Sequence, residues 1–123
     1  MTAMENEIFQ LLIKADELAT ERDIEGYRDL FISNGEILFN NRIIAGKDNI
    51  ADFVAQTWDK EPVGSVHLLF NPLVLSDEGD SALITTRLLI LDPSDNQIWN
   101  STKITHTLVK RNSKWQYKKR KVE

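Results

Sequence analysis

A chain of 123 residues with 41% hydrophobic content suits one compact domain spanning 1–123, able to bury roughly two thirds of its unfolded surface. The absence of cysteine excludes a disulfide framework and a thiolate metal site, and fits a reducing compartment. The net charge of -4 hides an asymmetry, because seven of the fifteen basic residues fall in the last fourteen positions, which points to a basic C-terminal strand and a more acidic helical layer.

The opening MTAMENE lacks the basic start and apolar core of a secretory signal, and no apolar run reaches the ~18 to 20 residues of a membrane span. A soluble cytoplasmic protein is expected. Thr2 and Glu5 have capping-box spacing, and Ile8, Leu11, Leu12, Ala15, Leu18 and Ala19 then recur at three- and four-residue steps, predicting a helix to about Thr20. Asp23 can cap a second, shorter helix with Ile24, Tyr27, Leu30 and Phe31 on one side, stopped by a left-handed Asn34-Gly35.

Two short strands follow, Glu36 to Phe39 and Arg42 to Ala45, around an Asn40-Asn41 turn whose residue type tolerates positive φ. Gly46 opens a third helix with Ile50, Phe53, Val54, Thr57 and Trp58 on its apolar stripe, ended by Pro62 and Gly64. The stretch Ser65 to Asp92 is two long runs, apolar on both parities, joined at Asp77-Glu78-Gly79-Asp80. Such strands read as covered on both faces. After the loop at Asp92 to Asn96, Gln97 to Lys110 places Ile98, Ile104, His106 and Leu108 on one face, and Trp115 to Val122 closes the sheet. The expected class is α+β, with three helices among six strands, the last four antiparallel in sequence.

This order resembles the nuclear transport factor 2-like superfamily, especially its SnoaL-like branch, over nearly the whole chain. Local echoes are Asp23-Ile-Glu-Gly-Tyr-Arg-Asp-Leu-Phe, Ala45-Gly46-Lys-Asp-Asn-Ile50, Val66-His67 with Asn71-Pro72, Gly79-Asp80-Ser-Ala82 and Leu108-Val-Lys-Arg-Asn-Ser-Lys-Trp115. The resemblance implies a cone-shaped, strongly curved mixed sheet wrapped around the helices, of cystatin-like form. It also implies an enclosed pocket and an outer sheet face often used for dimers. The doubly apolar strands agree, since a second subunit would supply their second cover. A homodimer is expected.

The family's known catalytic sets are not carried over intact. The tyrosine and two aspartates of the steroid isomerases fall on Ala15, Phe39 and His106. The tyrosine-aspartate pair of scytalone dehydratase falls on Ala19 and Thr20, although His67 matches its strand histidine and its second histidine lands near Asp92. The arginine and aspartate two apart in the epoxide hydrolases are met only by Arg87, followed by Leu88-Leu89.

His67 and His106 are the sharpest candidates for a ligand-contacting or acid-base role, because imidazole titrates near neutrality and both lie in apolar strands. The resemblance aims both at the cavity; the competing reading is a histidine satisfied by Thr86, Thr105 or Thr107. Arg87 reads as a structural ion pair or an outward dimer-rim residue, or else as a substrate clamp. Asn71 suits a ligand hydrogen bond and equally a kink before Pro72. Tyr27, Trp58 and Trp99 line either the cavity or the core. Two histidines without clustered carboxylates give no metal site, and there is no serine elbow. The run Lys118-Lys119-Arg120-Lys121 reads as solvated or edge-protecting rather than phosphate-binding, since alternate members of a strand point to opposite faces.

The reading is therefore a cavity for a small, largely apolar organic ligand. Any chemistry there would be cofactor-independent proton transfer of isomerase, dehydratase or cyclase type, with His67 as the acid-base group. A non-enzymatic dimeric interaction or scaffold module is the alternative. Neither nucleic acid nor membrane is an expected partner.

Overall fold

The computed structural model describes residues 2–123. In chain order they form α1 (Ala3–Glu21), α2 (Ile24–Arg28), β1 (Phe31–Phe39), β2 (Arg42–Ala45), α3 (Lys47–Asp59), β3 (Val66–Asp77), β4 (Ser81–Asp92), β5 (Gln97–Arg111) and β6 (Lys114–Val122). The six strands make one open sheet in the order β2-β1-β6-β5-β4-β3. Only β1 and β6 pair in parallel. The mixed α+β class and the antiparallel run of the last four strands are as expected from the sequence.

Local chemistry accounts for most boundaries. The Thr2 hydroxyl accepts from the Glu5 N–H at 3.0 Å while the Glu5 carboxylate accepts from the Thr2 N–H at 3.3 Å, so two orphan donors of α1 are satisfied. At the other end Arg22 adopts φ 60°, and its N–H closes on the Ala19 carbonyl. Asn40 and Asn41, at φ 49° and 62°, form the left-handed pair that a two-residue hairpin requires, and Asn112 and Ser113 repeat it at φ 52° and 61°.

The second helix is shorter than its periodicity suggests. It stops at Arg28, and Phe31 already belongs to β1, because the Leu30 carbonyl accepts from the Tyr117 N–H at 2.8 Å and the sheet takes over the chain. Asn34-Gly35 is consequently not a helix stop. It lies inside β1, where the pairing with β6 slips between Phe31 and Glu36. A Cβ on Gly35 would meet the Phe31 Cβ and the Ile32 carbonyl, both at 3.1 Å, so this glycine answers to space rather than to handedness.

Side chains from one face of α1, from α3 and from the inner parity of the strands fill the core, with Leu12, Phe31, Ile50, Ile84, Leu108 and Tyr117 fully buried. Bulges bend the long strands. In β3, Phe70 faces Arg87 and Leu73 faces Thr85, leaving an extra residue at Asn71, whose φ is 53°. In β5, Asn100 faces Ile90 but Ile98 faces Leu91, so Trp99 is extra. In β6, Lys119 faces Thr107 but Tyr117 faces Leu108, so Lys118 is extra. Each insertion reverses the side-chain parity beyond it.

That reversal corrects one expectation directly. Ile98 does not share the face of Ile104, His106 and Leu108; it is 58% exposed on the outer face. The outer parity of β3 is not covered within the chain either, since Phe70, Leu73 and Leu75 are also exposed.

Leu108 has no exposed surface and sits at the centre of the sheet. Leu108→Ala is expected to lower stability by about 2–5 kcal/mol, read as a drop in the urea midpoint with the slope unchanged.

Candidate functional site

A cavity of about 300 Å³ opens between the helices and the inner face of the sheet. Its walls are mostly apolar, with Val54 and Trp58 from α3, Ile90 from β4 and Ile104 from β5. Four ionisable side chains interrupt them and are themselves buried: Asp16 from α1, Glu61 just past α3, His67 from β3 and Arg120 from β6. Few polar groups in an apolar concavity is the usual make-up of a small-molecule site.

Asp16 arrives through helix periodicity, four residues after Leu12 and three before Ala19, both of which are buried. Burial raises its pKa, and the positive fields of Arg120 and His67 work against that rise. Asp16 is thus a buried carboxyl group that holds its proton more tightly than a free aspartate does.

Glu61 is the convergence point of a second cluster. Its Oε1 accepts from the Ser65 hydroxyl at 2.8 Å, pairs with His67 Nε2 at 2.8 Å and lies 3.2 Å from Arg22 Nη2. Arg22 also donates to the Ser65 hydroxyl oxygen and, at 2.7 Å, to the Ala19 carbonyl. A carboxylate with only 2% of its side chain exposed is tolerable because cationic and hydroxyl donors meet it. The network assigns the proton to Nε2 of His67, so Nδ1 carries the lone pair when the ring is neutral. The His67 backbone N–H donates to the Thr20 hydroxyl at 2.9 Å, and Trp58 stands edge-on 6.4 Å from the ring. The imidazole is therefore fixed in orientation from three elements.

Arg120 is buried beside two aromatic rings, with its Cζ 5.5 Å from the centroid of Tyr27 and 5.2 Å from that of Tyr117. Its Nη1 donates to the Tyr27 hydroxyl. Tyr27 in turn packs edge-to-face on Trp58 at 5.1 Å, tying the guanidinium to the cavity wall.

The sequence candidates thus separate into two groups. His67, Tyr27, Trp58 and Trp99 line the cavity. His106, Asn71 and Arg87 do not. His106 is 1% exposed in the core, where Nε2 meets the Thr86 hydroxyl at 2.8 Å and the ring lies 5.7 Å from Tyr117; the expectation that both imidazoles enter the cavity is corrected. Asn71 is spent on the β3 bulge and is exposed. Arg87 faces outward, paired across the strands with Phe70 and Lys103, rather than inward. Arg120 belongs to the basic run expected at the surface or at an edge; β6 is instead a central strand, and its bulge turns this residue inward. Among the described residues no group of three His, Asp or Glu side chains is placed to hold a metal ion, and no helix is long and apolar enough to cross a membrane.

With the geometry in place, the comparisons fix the family. The SnoaL-like domain model matches residues 2–121, and the chain belongs to that family. A protein with a cystatin-like fold from Nostoc punctiforme superposes with a TM-score of 0.90 at 23% identity, over 100% of this chain and 92% of that one. A protein from Catenulispora acidiphila, solved in complex with S-DNPA, gives a TM-score of 0.84 at 18% identity, over 99% and 95%. One from Novosphingobium aromaticivorans, provisionally assigned as a scytalone dehydratase, gives 0.81 at 15%, over 98% and 83%. At these identities the likeness establishes the fold. No match arises among curated protein sequences.

Burial lowers the pKa of His106 from 6.5 to about 3, so between those values the unfolded chain binds a proton that the folded chain refuses. The stability this group contributes is complete above pH 6.5 and is lost as the pH falls toward 3. Compared with His106→Gln, the wild type should lose up to about 1.4 kcal/mol more per pH unit on acidification below neutrality, measured by urea unfolding across that range.

Proposed function

We propose that the cavity binds a small, largely apolar organic molecule and moves a proton within it, in a cofactor-independent reaction of isomerase, dehydratase or cyclase type. The observation that carries this reading is the joint presence of Asp16 and His67 in one apolar cavity. A buried carboxyl with a raised pKa and an imidazole held through Nε2 by Glu61 are two proton-carrying groups in one cavity, each able to take or return a proton at an enolisable or hydroxylated carbon skeleton. Glu61 holds the imidazole and is itself held by Arg22, and Trp58 offers a flat apolar wall. The S-DNPA complex of the Catenulispora acidiphila protein supports a ligand-holding use of this fold.

Screening small cyclic ketones, enols and alcohols by thermal shift is expected to yield binders that raise the melting temperature by several degrees, since ~100-fold saturation is worth about 2.7 kcal/mol. For such a binder, solvent deuterium should enter at an activated carbon, and Asp16→Asn or His67→Gln should slow that exchange by about 10²- to 10⁴-fold. Binding with exchange unchanged in both variants removes the acid-base assignment.

The exposed outer face favours a second reading alongside the first. Phe70, Leu73 and Leu75 on β3 and Ile98 on β5 are exposed apolar side chains, and a second copy of the chain is the occupant we assign to this outer face. Light scattering at micromolar concentration is then expected to return twice the chain mass of 14.1 kDa, and Leu73→Glu to halve it. A dimer whose cavity takes no ligand points to a non-enzymatic interaction module instead.

A further inference from the structure

Arg120 is a buried cation whose hydrogen-bonding capacity is largely unspent. The guanidinium carries five N–H donors. Among the described residues it places one hydrogen bond, from Nη1 to the Tyr27 hydroxyl, and its buried Nε has no partner. It takes part in none of the ion pairs formed there. The Tyr27 and Tyr117 rings flank its charge, but a ring face satisfies charge and leaves N–H groups unmet. Asp16 acts on it through space without ion-pair contact. Burying a cation on such terms is costly unless something completes it.

The direction left open is the cavity, which Arg120 lines. We propose that Arg120 seats an anionic oxygen of the ligand, so that the cavity takes small organic acids in which an apolar ring or chain carries one carboxylate. A planar carboxylate matches the guanidinium fork and would engage the Nη N–H groups not spent on Tyr27. The remaining walls admit the apolar portion, with Leu88, Ile90 and Ile104 close by and a volume of about 300 Å³ that restricts it to a compact skeleton. The other charges present do not compete for the anion. Glu61 is already met by Arg22 and His67, and Lys60, although it lines the cavity, is exposed. Asp16, whose pKa burial raises, stands in the same cavity. This inference rests on the reading of the cavity as a ligand site and narrows the ligand's chemistry.

The test pairs two probes of one shape, benzoate and benzamide, titrated calorimetrically into the wild type, Arg120→Lys and Arg120→Gln. Benzoate is expected to bind the wild type about ten-fold or more tightly than benzamide. Arg120→Lys should keep a weaker preference, and Arg120→Gln should abolish it. The Arg120 Nε–H resonance of the wild type should shift on adding benzoate and stay put on adding benzamide, which decides the matter even where Arg120→Gln does not fold. Equal affinity for the two probes, a preference that survives in Arg120→Gln, or an unmoved Nε–H signal overturns the proposal. Failure of both probes overturns it as well. Neutral cyclic compounds that still bind in the thermal-shift screen would leave the cavity reading standing, whereas an empty screen would end both.

Discussion

Side-chain alternation along a strand is a strict constraint, and this molecule is organised by the places where it is broken. An extra residue at Asn71, Trp99 and Lys118 reverses which neighbours face the helices and which face outward. Downstream of the β6 insertion, Arg120 and Val122 reach the cavity while Lys119 and Lys121 turn away. Upstream of the β5 insertion, Ile98 lies outside. Without these insertions the cavity would have different walls and no guanidinium, so strand geometry decides the chemistry before any side chain does.

The second organising fact is how buried charge is distributed. Two clusters lie under one apolar roof and are handled differently. Around Glu61, donors from Arg22, Ser65 and His67 crowd a single carboxylate oxygen, and the result is a rigid, satisfied assembly that holds an imidazole in place. Around Arg120, by contrast, aromatic faces and one hydroxyl leave donors unmet, and Asp16 stands near without closing on it. The first cluster is closed by its own partners; the second is not. His106 shows a third outcome, an imidazole so deeply embedded that it stays neutral well into the acidic range and serves only the core.

Much of the architecture was legible because local signals agreed with one another. The capping box at Thr2, the asparagine pair at the first hairpin and the glycine before α3 each specify a backbone geometry that the fold then uses. What escaped sequence reading escaped for identifiable reasons. Leu30 and Phe31 continue a helical periodicity but are drawn into the sheet by β6, a partner more than eighty residues away. Arg120 sits in a basic run that alternation assigns to solvent, and nothing local marks the bulge beside it. Asp16 was detectable in principle, as a carboxylate on the apolar stripe between Leu12 and Ala19. Glu61 was hidden in a polar-looking helix exit, and its burial follows from Ser65 and His67 folding back over it.

The bulge at Asn71 has its effect at the margin of the sheet. Strand β3 is the terminal member of the sheet, and a long straight terminal strand would offer its free amides and carbonyls to any neighbouring chain. Here Asn71 bends it, Pro72 removes a donor, and a further slip between Val74 and Ser76 spoils the spacing again. The greasiest hairpin in the chain is thereby denied a ruler along which copies could stack. Lengthwise growth into fibres meets a crooked rail.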